Sequence, residues 1–279
     1  MKYILNTIFL LLINYVGVFS QTVSSTNIEI HDSVQMVLKY NFSQKFDMAD
    51  SGRVHKESYL LFVCKNSTLF KPYNKYIQDS IDKVDIENNS FSFNIDASKR
   101  RVSHLPTIVG IDDKYFEIYS LITNYSLEDT SHIVWQISEE TQEYNGLVVH
   151  KATTNFKGRT IVVWYCPDIP INAGPYKFNG LPGLIVEAGD SKGDFIFQFK
   201  GYYSLDKQVL NFSIKKEEVS RKKYFEITNR IADDPMEYVR AMSAANGITM
   251  TVNSINIPQT NSNKKRVTIL NPTNPIELE

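Results

Sequence analysis

Residues 158–187 read GRTIVVWYCPDIPINAGPYKFNGLPGLIVE, and the reading of this stretch decides the fold. Four prolines (Pro167, Pro170, Pro175, Pro182) and four glycines (Gly158, Gly174, Gly180, Gly183) fall inside it. Arg159 to Tyr165 carries β-branched and aromatic residues and reads as a strand. Proline has no N–H for a ladder, so that strand must stop near Pro167. The chain then crosses as an extended segment outside the ladder. Leu181-Pro182-Gly183-Leu184 places Pro and Gly at the central positions of a type II turn, where the second needs positive φ. Gly174 and Gly180 allow further bends or close backbone approach. Leu184-Ile185-Val186 re-enters the sheet.

Period-two alternation dominates on both sides. Met36, Leu38, Tyr40 and Phe42 share one face of a first strand, and Tyr59 to Cys64 is a short apolar run. Phe91, Phe93 and Ile95 alternate with Ser and Asn. Ile108 to Ile111, Asp112-Asp113 and Tyr115 to Leu121 read as a hairpin, and His132 to Ile137 as a strand. Leu147 to Phe156 and Arg159 to Tyr165, joined at Lys157-Gly158, make a second hairpin. Leu184 to Glu187 and Asp194 to Tyr202 make a third, followed by a strand over Val209 to Ile214. Glu217 to Ile231 shows helical spacing, and Asp234-Pro235 reads as the cap and first residue of a helix over Met236 to Ala244. The expected architecture is mainly β. It is one antiparallel, strongly curved sheet or half-open barrel, with one or two helices in the C-terminal half. The half-barrel of periplasmic lipoprotein carriers is the fold-level analogue.

The N-terminus is of another kind. Lys2, an apolar run from Ile4 to Phe19, and small residues at Val18 and Ser20 describe a secretory signal cleaved near Ser20-Gln21. The expected organisation is a signal over 1–20 and one domain over 21–279, periplasmic or extracellular. No later stretch is apolar enough to span a bilayer as a helix. Removing residues 1–20 takes away Lys2 and no acid, so 30 basic residues become 29 against 31 acidic. A near-neutral chain carries no electrostatic signal for nucleic acid. Sixteen Tyr and sixteen Phe against twelve Gly favour packed strands. Export would allow a disulfide between Cys64 and Cys166, and the sequence leaves open one bridge or two buried thiols.

The central stretch resembles the GLPGLI family of exported proteins of Gram-negative bacteria. The resemblance rests on Lys151-Ala152, Gly158-Arg159, Trp164-Tyr165, Asp168-Ile169-Pro170, Gly174-Pro175 and Gly180 through Ile185. The closing Asn274-Pro275-Ile276-Glu277 matches as well. The resemblance implies a compartment and a fold type, and no chemistry. Members often carry a Cys just before the Lys-Ala pair. Here the positions are Val149-His150, so no disulfide follows on that pattern.

Catalytic signatures are absent from the sequence. His31, His55, His104, His132 and His150 lack ligand spacing, so no metal and no cofactor is expected. No GxSxG, P-loop or GxGxxG is present. Arg159 and Asp168 anchor the irregular segment or form a polar site beside it. Trp164, Tyr165, Tyr176 and Phe178 are core or line a groove for a lipid or peptide. Gly174, Pro175, Gly180, Leu181, Pro182, Gly183, Leu184 and Ile185 are the structural motif. The expected function is non-catalytic binding of an apolar or peptidic ligand or a protein partner in the envelope. A hydrolase using Arg159 and Asp168 is one alternative, and an interaction subunit of an outer-membrane assembly the other.

Overall fold

The computed structural model describes residues 25–47, 50–77, 79, 105–120, 124–203, 209–233 and 275–278. Twelve strands and one long helix lie among them. The strands are β1 (Ser25–Asp47), β2 (Asp50–Cys64), β3 (Ser67–Pro72), β4 (Thr107–Ile111), β5 (Lys114–Ser120) and β6 (Asn124–Asp129). They continue with β7 (Gln136–Tyr144), β8 (Leu147–Phe156), β9 (Arg159–Cys166), β10 (Leu184–Asp190), β11 (Phe195–Tyr203) and β12 (Val209–Glu218). The helix α1 spans Arg221–Asp233, and residues 73–77 form a helical turn.

All twelve strands belong to one curved sheet, which is not a closed barrel. Its order is β12-β6-β5-β4-β3-β2-β1-β11-β10-β9-β8-β7, and β12 also pairs with β1. The long strand β1 makes this possible. Its first part, Ser25 to Ser33, pairs with β12, and its later part pairs with β11 and β2. One half of the sheet therefore curls back on itself, while the other half, β11 to β7, extends from β1. Every pairing is antiparallel except the short contact of Glu217 and Glu218 with Tyr125 and Ser126.

The alternation seen in the sequence sorts side chains into two cores. Leu38, Tyr40, Phe42, Tyr59, Leu61 and Phe70 join Phe195, Phe197 and Phe199 in the larger one. Its rings meet edge-on or stacked, as with Phe42 and Phe197 at 4.6 Å and Tyr59 and Phe70 at 4.8 Å. Val37, Leu60, Phe62, Cys64, Leu69, Val109 and Ile118 form a second core inside the curl. Cys64 and Cys166 thus sit in separate cores, both free and both buried, so the bridge left open by the sequence is not made. Burial pushes the Cys64 thiol up to about 11, which disfavours the reactive thiolate.

Three expectations need correction. His132 to Ile137 is mostly loop, because β7 starts only at Gln136. There Ile133 and Trp135 pack on the larger core without a ladder. The helix expected from Glu217 begins at Arg221, because Glu217 and Glu218 still pair in the sheet. Ser220 caps it, its hydroxyl accepting the Lys223 N–H at 3.2 Å. The type II turn at Leu181 to Leu184 does not form. The Leu184 N–H goes to the Ile169 carbonyl at 3.0 Å, and the Gly183 N–H to the Leu181 carbonyl at 2.8 Å. The expected signal at 1–20, strand at Phe91 to Ile95, helix at Met236 to Ala244 and most of the tail lie outside the described residues.

Gly183 is required for space. With φ at 158° it is almost extended, but a Cβ there would stand 2.2 Å from the Cys166 carbonyl oxygen. Backbone cannot yield as a flexible side chain can. Gly183→Ala is therefore expected to lower the unfolding free energy by about 1–3 kcal/mol, read as an earlier urea midpoint at unchanged slope.

Candidate functional site

Between β9 and β10 the chain lies across the larger core without joining the ladder. It is tied by the Ile185 N–H to the Ala173 carbonyl at 3.0 Å and the Phe178 N–H to the Pro175 carbonyl at 3.1 Å. The Trp135 indole donates to the Asn179 carbonyl at 2.6 Å, and the Tyr40 hydroxyl to the Ile185 carbonyl at 2.8 Å. Gly174 lies so close to Phe178 and Ile185 that a Cβ would meet both within 3 Å. Tyr176 takes φ of +60°, a conformation a bulky residue holds only when its surroundings impose it. This turn sends Tyr176 and Phe178 into the aromatic core and Lys177 into a buried nest of carboxylates.

The Lys177 ammonium lies 2.5 Å from Glu117 Oε1, 2.7 Å from Asp129 Oδ2 and 2.5 Å from Glu277 Oε1. Its side chain is 2% exposed. Arg221 from α1 reaches Glu117 at 2.8 Å and Glu277 at 2.7 Å. The Tyr119 hydroxyl donates to Glu117 Oε2 and the Ser131 N–H to Asp129 Oδ1, while the Tyr176 hydroxyl donates to Glu277 Oε1, the oxygen that also meets Lys177. Lys157 stands 3.7 Å from Asp129. Burial pushes Glu117 up, but the charges of Lys177 and Arg221 outweigh it and hold the carboxyl below its usual range. Burial pushes Lys177 down, and the three carboxylates reverse that and hold it above.

Glu117, Asp129 and Glu277 have ligand oxygens within 4.8 Å of one another, a spacing a metal ion could use. The ammonium occupies that position. A lysine held charged in this way is neither nucleophile nor base, so the cluster is a structural lock.

Arg159 forms a second lock beside the first. It is buried and donates to Asp190 at 2.6 Å, Asp194 at 3.1 Å and the Pro275 carbonyl at 2.6 Å. The Leu278 N–H donates to the Lys157 carbonyl at 3.0 Å, and Ile276 is 3% exposed in the larger core. Residues 275–278 are thus gripped by the guanidinium, the core and the ammonium in turn.

The residues singled out in the sequence do not converge. Arg159 opens β9 and Asp168 follows its far end, about 23 Å away at the rise of a strand. Asp168 is exposed whereas Arg159 is buried at the other end of the strand, so the pair forms no common site. Tyr165, Tyr176 and Phe178 are core, and Trp164 is half-buried beneath Lys151. Of the motif, Leu181, Leu184 and Ile185 are buried, while Pro182 is exposed. Sequence reading missed Lys177, Glu117, Asp129, Arg221 and Glu277. A signal was available: a lone lysine between Tyr176 and Phe178 asks for an anion.

A different feature stands open. Strand β7 is the last of the sheet, and among the described residues it pairs only with β8. Nearly all of it is exposed. Val134, Ile137 and Val148 are 79%, 58% and 56% exposed along this border. Glu140 is paired with Lys151 at 2.8 Å, while Glu139 and Glu143 have no ionic partner among the described residues.

Residues 113–187 match a family model described as a protein of unknown function (Porph_ging). The match takes in β5 to β9, the crossing segment and the GLPGLI hexapeptide. No curated protein matches the chain. Two solved structures, described as PNGF-II in P21 and C2 space groups, are similar at TM-scores of 0.43 and 0.41 and 16% identity. The likeness covers 70% and 73% of this chain and 32% of each of theirs, so the chain spans about a third of their length. No helix among the described residues is long and apolar enough to cross a membrane.

The lock makes two linked predictions. Lys177→Met strands three buried carboxylates with Arg221 and should cost about 3–5 kcal/mol in urea unfolding. Stability should also form a broad plateau in pH. Glu117 and Asp129 are held low, so their contribution is present above about pH 4 and is lost as pH falls through their folded values. Lys177 is held high, so its share is present below about pH 10 and lost as pH rises past it. Unfolding curves from acid to base would show the plateau, and Lys177→Met should reduce its alkaline shoulder, to which the buried hydroxyls of Tyr40, Tyr119 and Tyr176, held high by burial, also contribute.

Proposed function

We propose that this chain is an exported envelope protein of the GLPGLI type that binds a protein or peptide partner without catalysis. The signal-like N-terminus and the central motif support the compartment and the type. The exposed border of β7 carries the binding reading. An edge strand offers a row of backbone donors and acceptors to an incoming strand, and exposed apolar side chains beside it add contact area. Two such edges from two copies would set Glu139 and Glu143 against the same acids, so the edge resists self-pairing and favours a neutral or basic strand. The expected apolar pocket gains no support, because its aromatic residues are spent in packing.

Ile137→Lys combined with Val148→Lys should leave the unfolding midpoint unchanged, since both sites are exposed. Mild cross-linking in envelope extracts should then capture a partner with the parent protein and lose it with the double variant. Val209→Lys, at another exposed site, is the control. Equal capture by all three proteins would refute β7 as the binding edge.

A further inference from the structure

Residues 275–278 belong to no strand, yet the rest of the chain holds each of them. The Arg159 guanidinium donates twice to the Pro275 carbonyl, from Nε at 3.1 Å and from Nη2 at 2.6 Å. Ile276 is buried in the larger core. Glu277 Oε1 accepts from the Lys177 ammonium and the Tyr176 hydroxyl, both at 2.5 Å, and Oε2 accepts from Arg221 at 2.7 Å. The Leu278 N–H donates to the Lys157 carbonyl at 3.0 Å. A carbonyl, an aliphatic side chain, a carboxylate and an N–H are met in order. Contacts of this kind are those of a short peptide in a binding site.

The groups that hold the segment all lie earlier in the chain. Lys157 sits at the β8–β9 turn, Arg159 at the start of β9, Tyr176 and Lys177 on the crossing, and Arg221 at the start of α1. Together they form a socket with its own charge requirement. Without Glu277, the cations Lys177, Arg221 and Lys157 face the carboxylates of Glu117 and Asp129. One positive charge is then unmatched in a place where burial makes it costly. The socket therefore selects an acid at the third place of its ligand and an aliphatic side chain at the second.

These contacts do not require the ligand to come from the same molecule. Among the described residues no strand pairing carries the segment to its place, and residues 234–274 separate it from α1. That length of chain can extend about 130 Å at about 3.3 Å per residue, so connectivity does not dictate which copy supplies the segment. Any contact made within one chain is available between two identical chains, and exchange of a segment is a low-cost route to association.

We propose that this socket is a peptide-binding site that takes residues 275–278 from a second copy of the chain as well as from its own. In dilute solution the tethered segment wins, because its effective concentration is high. Refolding among many copies favours exchange. The site is separate from the β7 border, and neither reading depends on the other.

The probe is a peptide of residues 271–279, NPTNPIELE, carrying fluorescein at its N-terminus. The full-length chain, unfolded in urea and refolded with the peptide in large excess, should retain the label through gel filtration. The same peptide with Glu277→Gln should be retained about tenfold less or weaker still. Two full-length variants then test the second copy. Ile276→Asp spoils the segment and keeps the socket, while Lys177→Met spoils the socket and keeps the segment. Each should sediment as a monomer alone, and their mixture as a one-to-one dimer. Adding Ile137→Lys to both should leave that dimer unchanged. Where a variant does not fold, retention of the peptide by the parent chain decides. No retained peptide would overturn the proposal, and so would a mixture of folded variants that stays monomeric.

Discussion

A lysine ammonium shut away from water is the constraint on which the rest of this structure depends. Moving such a charge out of solvent costs several kcal/mol unless opposite charges and hydrogen bonds replace the lost hydration. Lys177 meets that demand with Glu117 from β5, Asp129 from β6 and Glu277 from residues 275–278. These come from separate parts of the chain. Strands β5 and β6 belong to the curled half of the sheet, while Lys177 itself rides on the crossing between β9 and β10. Helix α1 adds Arg221. One cation thus requires both halves, the helix and the tail to be in register at once. Such an arrangement gives specificity more than net stability, since a well-packed apolar substitute could be equally stable.

The motif can be read in these terms. Gly174 and Gly183 let backbone pass where any side chain would collide. Tyr176 is forced to positive φ so that its neighbour points into the carboxylates while its own ring stays in the core. Asn172 caps the Gly180 N–H. The crossing segment between β9 and β10 is the covering layer of a core, shaped to deliver one charge to one place.

The sheet itself was legible because alternation is a local property. Met36 to Phe42, the hairpin at Lys157-Gly158 and the strand at Leu184 each declare their faces within a few residues. The turn at Gly183 was misread because its hydrogen bond goes to Ile169, a partner that the four-residue pattern cannot see. The helix start was misplaced for a similar reason, since Glu217 and Glu218 pair with strands far away in sequence. The charge lock was illegible as a whole. Its members span residues 117 to 277 and share no spacing. Arg159 and Asp168, close in sequence, were paired in expectation and lie at opposite ends of one strand. Proximity along a β-strand is distance in space.

The grip on residues 275–278 bears on the order of events in the life of the chain. Glu277 lies 100 residues beyond Lys177 in the chain, and Lys177 cannot be buried at tolerable cost before it arrives. A nascent chain lacking it holds an unmet charge beneath its covering segment, and the two sheet halves stay uncoupled. Completion of the fold is deferred until synthesis reaches that glutamate.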